Sequence, residues 1–313
     1  MIATVTLNPA VDYTACIAKP LEKGMVNRTA SEHITAGGKG INVSYILHEL
    51  HEDTCIYGFS AGAVGAMLRA QVLSWGIRAD WLELEGQNNR INLKIEESGV
   101  VTELNGTGVS VPAEQIANLA EKLRVYGEND IIVLAGSIPR GADSRLYADI
   151  MAVLRENGVR FAVDAEGDPL RAVLPYHPFV VKPNLPELCG LFGVEITRWQ
   201  EAVSYGRKLQ QMGAENVLLS LGGDGALLLT ADGAVWRLDA PHSEVVNTVG
   251  AGDSMLAGFL AGAAKGWAMA DCLRLGVAAG SATAFAPWLA NAEQIEELLK
   301  KLPYPQLVEG ETE

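Results

Sequence analysis

The chain has 313 residues, 49% hydrophobic and 20% charged, an apolar share that excludes wholesale disorder. Its 24 Lys and Arg against 38 Asp and Glu leave a formal net charge of −14 and a sequence pI near 4.8. A broad basic face for nucleic acid or an anionic membrane is thereby excluded, so an anionic ligand must be captured by a few local positive groups.

The opening run Met1-Ile2-Ala3-Thr4-Val5-Thr6-Leu7 has no basic start and no small-residue cleavage site, and reads as a first strand, not a signal peptide. Further short β-branched runs predict core strands at Thr54–Phe59, Asp130–Leu134, Arg160–Asp164, Phe179–Lys182 and Val217–Leu221. Between them, amphipathic stretches predict helices at Ile41–His51, Val64–Trp75, Pro112–Val125, Ser144–Asn157 and Ala202–Met212. Runs such as Ile131-Ile132-Val133-Leu134 are apolar on both faces, as strands covered on both sides must be. The alternation predicts an α/β fold with a mainly parallel, doubly wound sheet, its functional loops at the strand C-termini. Length alone allows two domains at about 150 residues each, but the rhythm favours a single α/β domain over residues 1–313.

Two segments, residues 12–34 and 89–104, carry strand-like pieces without helices between them. Arg90–Ile95 alternates, Glu96–Gly99 supplies a turn, and Val100–Leu104 returns, which is a hairpin signal. These pieces form either a small second sheet acting as a lid or two ordinary surface hairpins. Leu275–Ala292 is uncharged but rich in Ala and Gly, and reads as a buried helix, not a membrane span. Cys16, Cys55, Cys189 and Cys272 lack a C-x-x-C pair and suit a reducing cytoplasm without disulfides or zinc. The five histidines (His33, His48, His51, His177, His242) have no ligand or triad spacing and read as structural, and Glu309–Glu313 reads as a solvated tail.

Four segments could carry chemistry. In Thr248-Val249-Gly250-Ala251-Gly252-Asp253, small residues precede the helical run Met255–Ala264 and expose N–H groups that have no intrahelical partner. Such a turn attracts anions, and Asp253 beside it suits a base, or else the segment is only an N-terminal cap. Gly37-Gly38-Lys39-Gly40-Ile41-Asn42 is a second glycine cluster opening a helix, without Walker A spacing, and no G-x-G-x-x-G occurs in the chain. It is a ligand loop or a simple turn. Ser220-Leu221-Gly222-Gly223-Asp224-Gly225 is a tight turn that also offers N–H groups. Lys182-Pro183-Asn184-Leu185-Pro186-Glu187 brings Asn184 and Glu187 to one helical turn, either as a capping box or facing a hydrated Mg²⁺. Asp12 ends the first strand segment and Arg90 begins the hairpin; each is a surface charge or a ligand contact.

Taken together and in order, these segments resemble the PfkB group of the ribokinase family of sugar kinases. The resemblance runs from Asp12 through Gly37–Asn42, Asn89-Arg90-Ile91-Asn92 and Gly136-Ser137-Ile138-Pro139. It continues through Lys182-Pro183-Asn184-x-x-Glu187 and Ser220-x-Gly222-x-x-Gly225 to Thr248–Asp253. Arg90-Ile91-Asn92-x-Lys94-Ile95 and Thr102–Gly106 look most like the bacterial 1-phosphofructokinases, with tagatose-6-phosphate kinases next. Arg140 and Asn247 depart from the group's commoner residues, Asn247 by carrying no charge.

The resemblance implies a ribokinase-like, three-layer fold with a β-sheet lid, and a cytoplasmic homodimer formed through the lids. It implies transfer of the γ-phosphoryl of ATP, with Mg²⁺, to fructose 1-phosphate, giving fructose 1,6-bisphosphate. Tagatose 6-phosphate or fructose 6-phosphate is the alternative acceptor, and a non-catalytic sugar-phosphate sensor a further one. Asp253 becomes the base, and Gly250, Ala251 and Gly252 an anion hole. Asp12, Gly38, Asn42 and Ser137 hold the sugar, while Lys39, Arg90 and Arg28 hold its phosphate. Lys182, Asn184, Ser220, Gly222, Gly223 and Gly225, with Gly252, line the ATP side, and Glu187 acts on Mg²⁺ through water.

Overall fold

The computed structural model describes residues 1–97 and 100–309. Its strands in chain order are β1 (Ile2–Thr6), β2 (Ala10–Ile17), β3 (Ser31–Gly37), β4 (Thr54–Ala61), β5 (Arg78–Leu84), β6 (Arg90–Glu97) and β7 (Val100–Asn105). After these come β8 (Ile131–Ala135), β9 (Arg160–Asp164), β10 (Val180–Val181), β11 (Asn216–Ser220), β12 (Ala226–Leu229), β13 (Val235–Leu238) and β14 (Gln306–Glu309). The helices are α1 (Lys39–Glu49), α2 (Gly62–Ser74), α3 (Ala113–Leu123), α4 (Leu146–Leu154) and α5 (Gly167–Val173). They continue as α6 (Leu185–Phe192), α7 (Trp199–Gln211), α8 (Ala251–Ala264), α9 (Met269–Ala284) and α10 (Ala292–Lys301).

The larger sheet runs β14-β13-β12-β11-β10-β9-β8-β1-β4-β5, parallel from β11 to β5, with an antiparallel edge in β12, β13 and β14. All residues of β1 and β8 are buried, as their two-sided apolar character requires. One apolar layer joins the sheet to side chains of α3, α4, α5, α6 and α7; the other joins it to α1, α8, α9 and α10. From β1 the chain fills β4 and β5 on one side, then crosses to β8 on the other. The crevice beyond the C-terminal ends of β1 and β8 is therefore a topological switch point, where open α/β sheets bind ligands. Asn8 follows β1 and Ser137 follows β8, and the Asn8 amide donates to Ser137 Oγ across it at 3.3 Å.

The two segments without helices build one further sheet, in the order β3-β2-β6-β7. The parallel pairing of β2 with β6 ties them together, so they are a second sheet and not separate hairpins. Alternation along β2 and β6 puts Asp12, Asn92 and Lys94 on one face and Tyr13, Ile91, Leu93 and Ile95 on the other. A side chain at Gly37 would meet the Asp12 carboxylate at 2.7 Å, so glycine there lets β3 pass beside that acid.

The predicted helix over Leu275–Ala292 is displaced in the structure. Helix α9 starts earlier, at Met269, carries Asp271 and Arg274, and stops at Ala284. Pro287 cannot donate to a helix and disfavours helical backbone at the residue before it, which fixes the stop. The turn residues Ser98 and Gly99, and the tail beyond Glu309, lie outside the described residues. Glu309 itself ends β14.

Candidate active site

A cleft of about 980 Å³ opens at the switch point and is walled by both sheets. It gathers Asp12, Gly38, Lys39, Asn42, Arg90 and Ser137 together with Lys182, Asn184, Glu187, Ser220, Gly222, Gly223 and Gly225, and with Gly250–Asp253. Of the predicted site residues only Arg28 is left out. It sits on the wholly exposed segment between β2 and β3 and does not line the cleft. Arg140 is exposed and outside the cleft as well.

The N-terminus of α8 forms one wall. Gly250 caps it with φ 80°, and a side chain there would lie 2.5 Å from Leu289, so the position needs glycine twice over. Ala251 donates its N–H to Thr248 O at 3.2 Å, which removes it from the expected trio of donors. The N–H groups of Gly250, Gly252 and Asp253 have no acceptor among the described residues, so three donors still face the cleft, one of them on the acid itself. Asn247 holds the preceding turn, accepting from Val249 N and donating to Pro287 O.

The Asp253 carboxylate is buried and accepts from Asn42 Nδ2 at 2.7 Å. Burial, and then the charge of Asp164, push it up to about 6, against the opposing pull of Lys39, Asn42 and Lys182. Asp164 is a residue that sequence reasoning missed. It ends β9, is wholly buried, and pairs with Lys39 Nζ at 2.9 Å and Lys182 Nζ at 3.2 Å. Burial alone would raise its carboxyl; Lys182 and Lys39 overcome that and hold it below the ordinary range. Burial opposes the charge on Lys39 too, but Asp164 and then Asp253 raise its ammonium well above the usual value.

The lid face supplies a second charged group. Asp12 accepts from Asn92 Nδ2 at 3.0 Å and from Lys94 Nζ at 2.9 Å, inside the cleft. Arg90 donates through Nε to Asn8 O at 3.1 Å and through a terminal amino group to Gly106 O at 3.4 Å, which sets its fork against the end of β1. Burial lowers its guanidinium from the usual value and Asp12 works against that. Lys94 and Asn92 had a signal in the alternation of β6, which puts every second residue on Arg90's face.

On the other side, Asn184 and Glu187 form a full capping box at the start of α6. Glu187 Oε2 takes the Asn184 N–H, and its other oxygen is uncommitted. The Ser220–Gly225 turn sits between β11 and β12; side chains at Gly222 or Gly223 would meet nothing within 4 Å, so that backbone is open to a ligand. A slot of small and apolar groups from Val277, Gly280, Ala284, Phe285, Pro241 and Val245 continues the cleft. His242, read as structural, lines the cleft as well. Among the described residues no group of three or more His, Cys, Asp or Glu could cage a metal, and no helix is long and apolar enough to cross a membrane.

A family model described as pfkB family carbohydrate kinase matches residues 5–294. The chain is similar to the 1-phosphofructokinase of Bacillus subtilis (strain 168), 39% identical over 307 residues that cover 98% of this chain and 100% of that one. It is similar also to the D-tagatose-1-phosphate kinase of Bacillus licheniformis, 32% identical over 308 residues, 98% of this chain and 100% of the other. Among solved structures, phosphofructokinase-2 from Escherichia coli in complex with substrates and products aligns with a TM-score of 0.90 at 26% identity, covering 96% of this chain and 99% of that one.

The position of Asp253 predicts a stability signature. Its folded-state value, about 6, exceeds the ordinary 3.8, so ionising it opposes folding. That opposition is complete above the folded value and disappears below the ordinary one. Asp253→Asn, whose carbonyl can still accept from Asn42, should raise stability at neutral pH by on the order of 1–3 kcal/mol. The gain should shrink to nothing as pH falls towards 4. Urea unfolding of both proteins across pH checks it; a variant less stable at neutral pH would contradict the assigned burial.

Proposed function

The chain belongs to the pfkB family of carbohydrate kinases, phosphotransferases of ribokinase-like fold, and on that premise we propose that it transfers the γ-phosphoryl of ATP to fructose 1-phosphate, giving fructose 1,6-bisphosphate and ADP. The observation that carries the proposal is the buried Asp253 carboxylate facing the cleft among unpaired N–H donors, opposite a lid that bears Asp12, Lys94 and Arg90. Similarity to the 1-phosphofructokinase of Bacillus subtilis supports the choice of acceptor.

In this reading the sugar lies under the lid. Asp12 and Asn42 take its hydroxyls, with Asn92, whose buried Oδ1 has no partner among the described residues, accepting one more. Gly38 and Ser137 border it, and Arg90 takes the existing phosphate through the N–H groups that its backbone contacts leave free. The far hydroxymethyl then reaches Asp253. Its oxygen attacks the γ-phosphorus, its proton passes to the Asp253 carboxylate, and the bond from that phosphorus to the β–γ bridging oxygen breaks. The N–H groups of Gly250, Gly252 and Asp253 stabilise charge on the phosphoryl oxygens. Lys182 meets the phosphoryl group in transfer, Asn184, Ser220 and the open backbone at Gly222 and Gly223 hold the remaining phosphates on the turn that Gly225 closes, and the apolar slot takes the base. A single free carboxylate oxygen on Glu187 fits a Mg²⁺ held mostly by phosphates and water; such an ion offsets phosphate charge when bound. These anions and this chemistry suit the cytoplasm.

The same reading makes the protein a homodimer. Ile34, Ile91 and Leu104 are exposed on the lid face turned away from the cleft, beside the half-buried Leu93 and Ile95. Two lids stacked on these faces would cover a contiguous apolar patch.

Four measurements test the proposal. Fructose 1-phosphate, tagatose 1-phosphate, tagatose 6-phosphate and fructose 6-phosphate, ranked by kcat/KM with MgATP, should place the first on top. Asp253→Asn should lose about 10²–10⁴-fold in kcat while still binding sugar by calorimetry; sugar binding without ADP formation by the wild type would instead mark a sensor. Arg90→Ala should raise KM for the phosphosugar about 10- to 10²-fold and leave KM for MgATP unchanged. Light scattering should give twice the chain mass for the wild type, and a double Ile34→Glu, Leu104→Lys variant should run as a monomer; a monomeric wild type removes the lid interface.

A further inference from the structure

Lys39 and Lys182 come from opposite parts of the chain, one opening α1 and the other following β10, yet both ammonium groups rest on the two oxygens of a single carboxylate. That carboxylate, Asp164, is wholly buried and does not line the cleft, whereas both lysines do. Its own backbone is fixed, since its carbonyl accepts from Gly136 N at 3.0 Å and β9 is paired on both sides. Lys182 is fixed as well, donating its N–H to Val163 O at 3.0 Å, and its ammonium lies 3.2 Å from where a side chain on Gly252 would begin. The two ammonium groups thus stand side by side at the first turn of α8.

This arrangement does not suit Lys39 as a ligand for the phosphate already on the sugar. The reacting hydroxymethyl and the existing phosphate lie at opposite ends of a ketohexose, and Asp253 marks the reacting end. A lysine that shares a carboxylate with Lys182 belongs to that end too. Without Asp164, the next carboxylate in the field of Lys39 is Asp253 itself. An ammonium group drawn onto Asp253 would occupy the oxygen that has to accept the proton.

Resting on the reading given above, we propose that Asp164 is a positioning residue: it pins Lys39 and Lys182 as a pair against the phosphoryl group in transfer and keeps both off Asp253. It touches no reacting atom and acts only through the two lysines. The charged groups facing Asp253 are Lys39 on α1, Asp164 at the end of β9 and Lys182 after β10, with Asn42 of α1 as its neutral partner.

The test is Asp164→Asn, assayed with MgATP and the best phosphosugar of the wild type. Turnover should fall about 10- to 10²-fold through misplacement of the pair, with both KM values little changed. The acid limb of the kcat/KM profile should move to lower pH, because Asp253 loses a repelling neighbour and gains closer cations. A residue that only supports the fold would lower the melting temperature and leave the acid limb in place. Asp164→Glu, which restores the charge, should return the acid limb towards the wild-type position. An Asp164→Asn enzyme with normal turnover, or with an unmoved acid limb, overturns the proposal. Should that variant fail to melt cooperatively, Lys39→Met, Lys182→Met and their double carry the test instead. Two groups acting as one clamp lose less together than the product of their separate losses, and independent losses would overturn it. A wild type that phosphorylates no phosphosugar would sink the underlying kinase reading, whereas an active wild type beside a normal Asp164→Asn sinks only this inference.

Discussion

The first turn of α8 can present peptide N–H groups to the cleft only because α9 holds the helix from behind, and that hold requires glycine. Side chains at Gly258 and Gly276 would approach Leu275 O and Met255 O at 2.6 and 2.9 Å, and one at Gly280 would approach Ala251 O at 3.0 Å. Any larger residue would push the two helices apart and carry the start of α8 with them. Asn42 closes the arrangement from α1 by fixing Asp253, so three helices of one layer converge on a single carboxylate. A helix terminus left without acceptors is unfavourable in a folded protein, and here the deficit is placed where a phosphate oxygen can fill it.

Much of the fold was legible in the sequence because parallel strands covered on both faces must be apolar throughout. The runs at β1, β4, β8, β9 and β11 could scarcely be anything else. Elements at the margins were not legible. Strand β5 lies at the sheet edge with a mixed pattern, Arg78-Ala79-Asp80-Trp81-Leu82-Glu83-Leu84, and only Leu84 is buried. Helix α9 was misplaced because absence of charge is a poor guide to helix ends: Asp271 complements the helix dipole and Arg274 caps α10 by donating to Leu299 O and Leu302 O. The second sheet could not be told from two hairpins because the β2–β6 pairing spans about 80 residues, and nothing local encodes a partner that distant.

The site divides in the same way. Glycine clusters stand out locally, before a helix at Gly38–Asn42 and Gly250–Asp253 and between two strands at Ser220–Gly225, so all three cleft segments could be found by inspection. The capping box at Asn184 and Glu187 formed as the plainer of the two alternatives, yet it leaves one carboxylate oxygen of Glu187 free, so the two readings were never exclusive. Asp164 escaped because its meaning depends on two lysines, the nearer 18 positions away in sequence and the farther 125. There was a signal all the same: an acidic residue closing an apolar strand at the functional edge of the sheet cannot be left without a cation. Arg28 lies outside the cleft of its own chain, and a basic residue in a loop is cheap to leave in water, so its position carries no information about where it points.

An acidic protein that handles two anionic ligands must keep its cations from being neutralised by its own surface, and it does so by pairing them in advance. Lys94 rests on Asp12 in the lid, and Lys39 and Lys182 rest on Asp164 below. Each ammonium group thereby avoids the cost of standing alone in a partly or fully buried position. An ammonium group carries three N–H bonds and its carboxylate takes only part of them, so the paired lysines that line the cleft keep donors for a ligand. The result is a positive potential confined to a few ångströms in a chain of net charge −14. A phosphate must come within hydrogen-bond reach to feel it, and within that reach the nearby cations hold Asp253 at about 6 against the burial and the Asp164 charge that push it up, a value that suits the base proposed above.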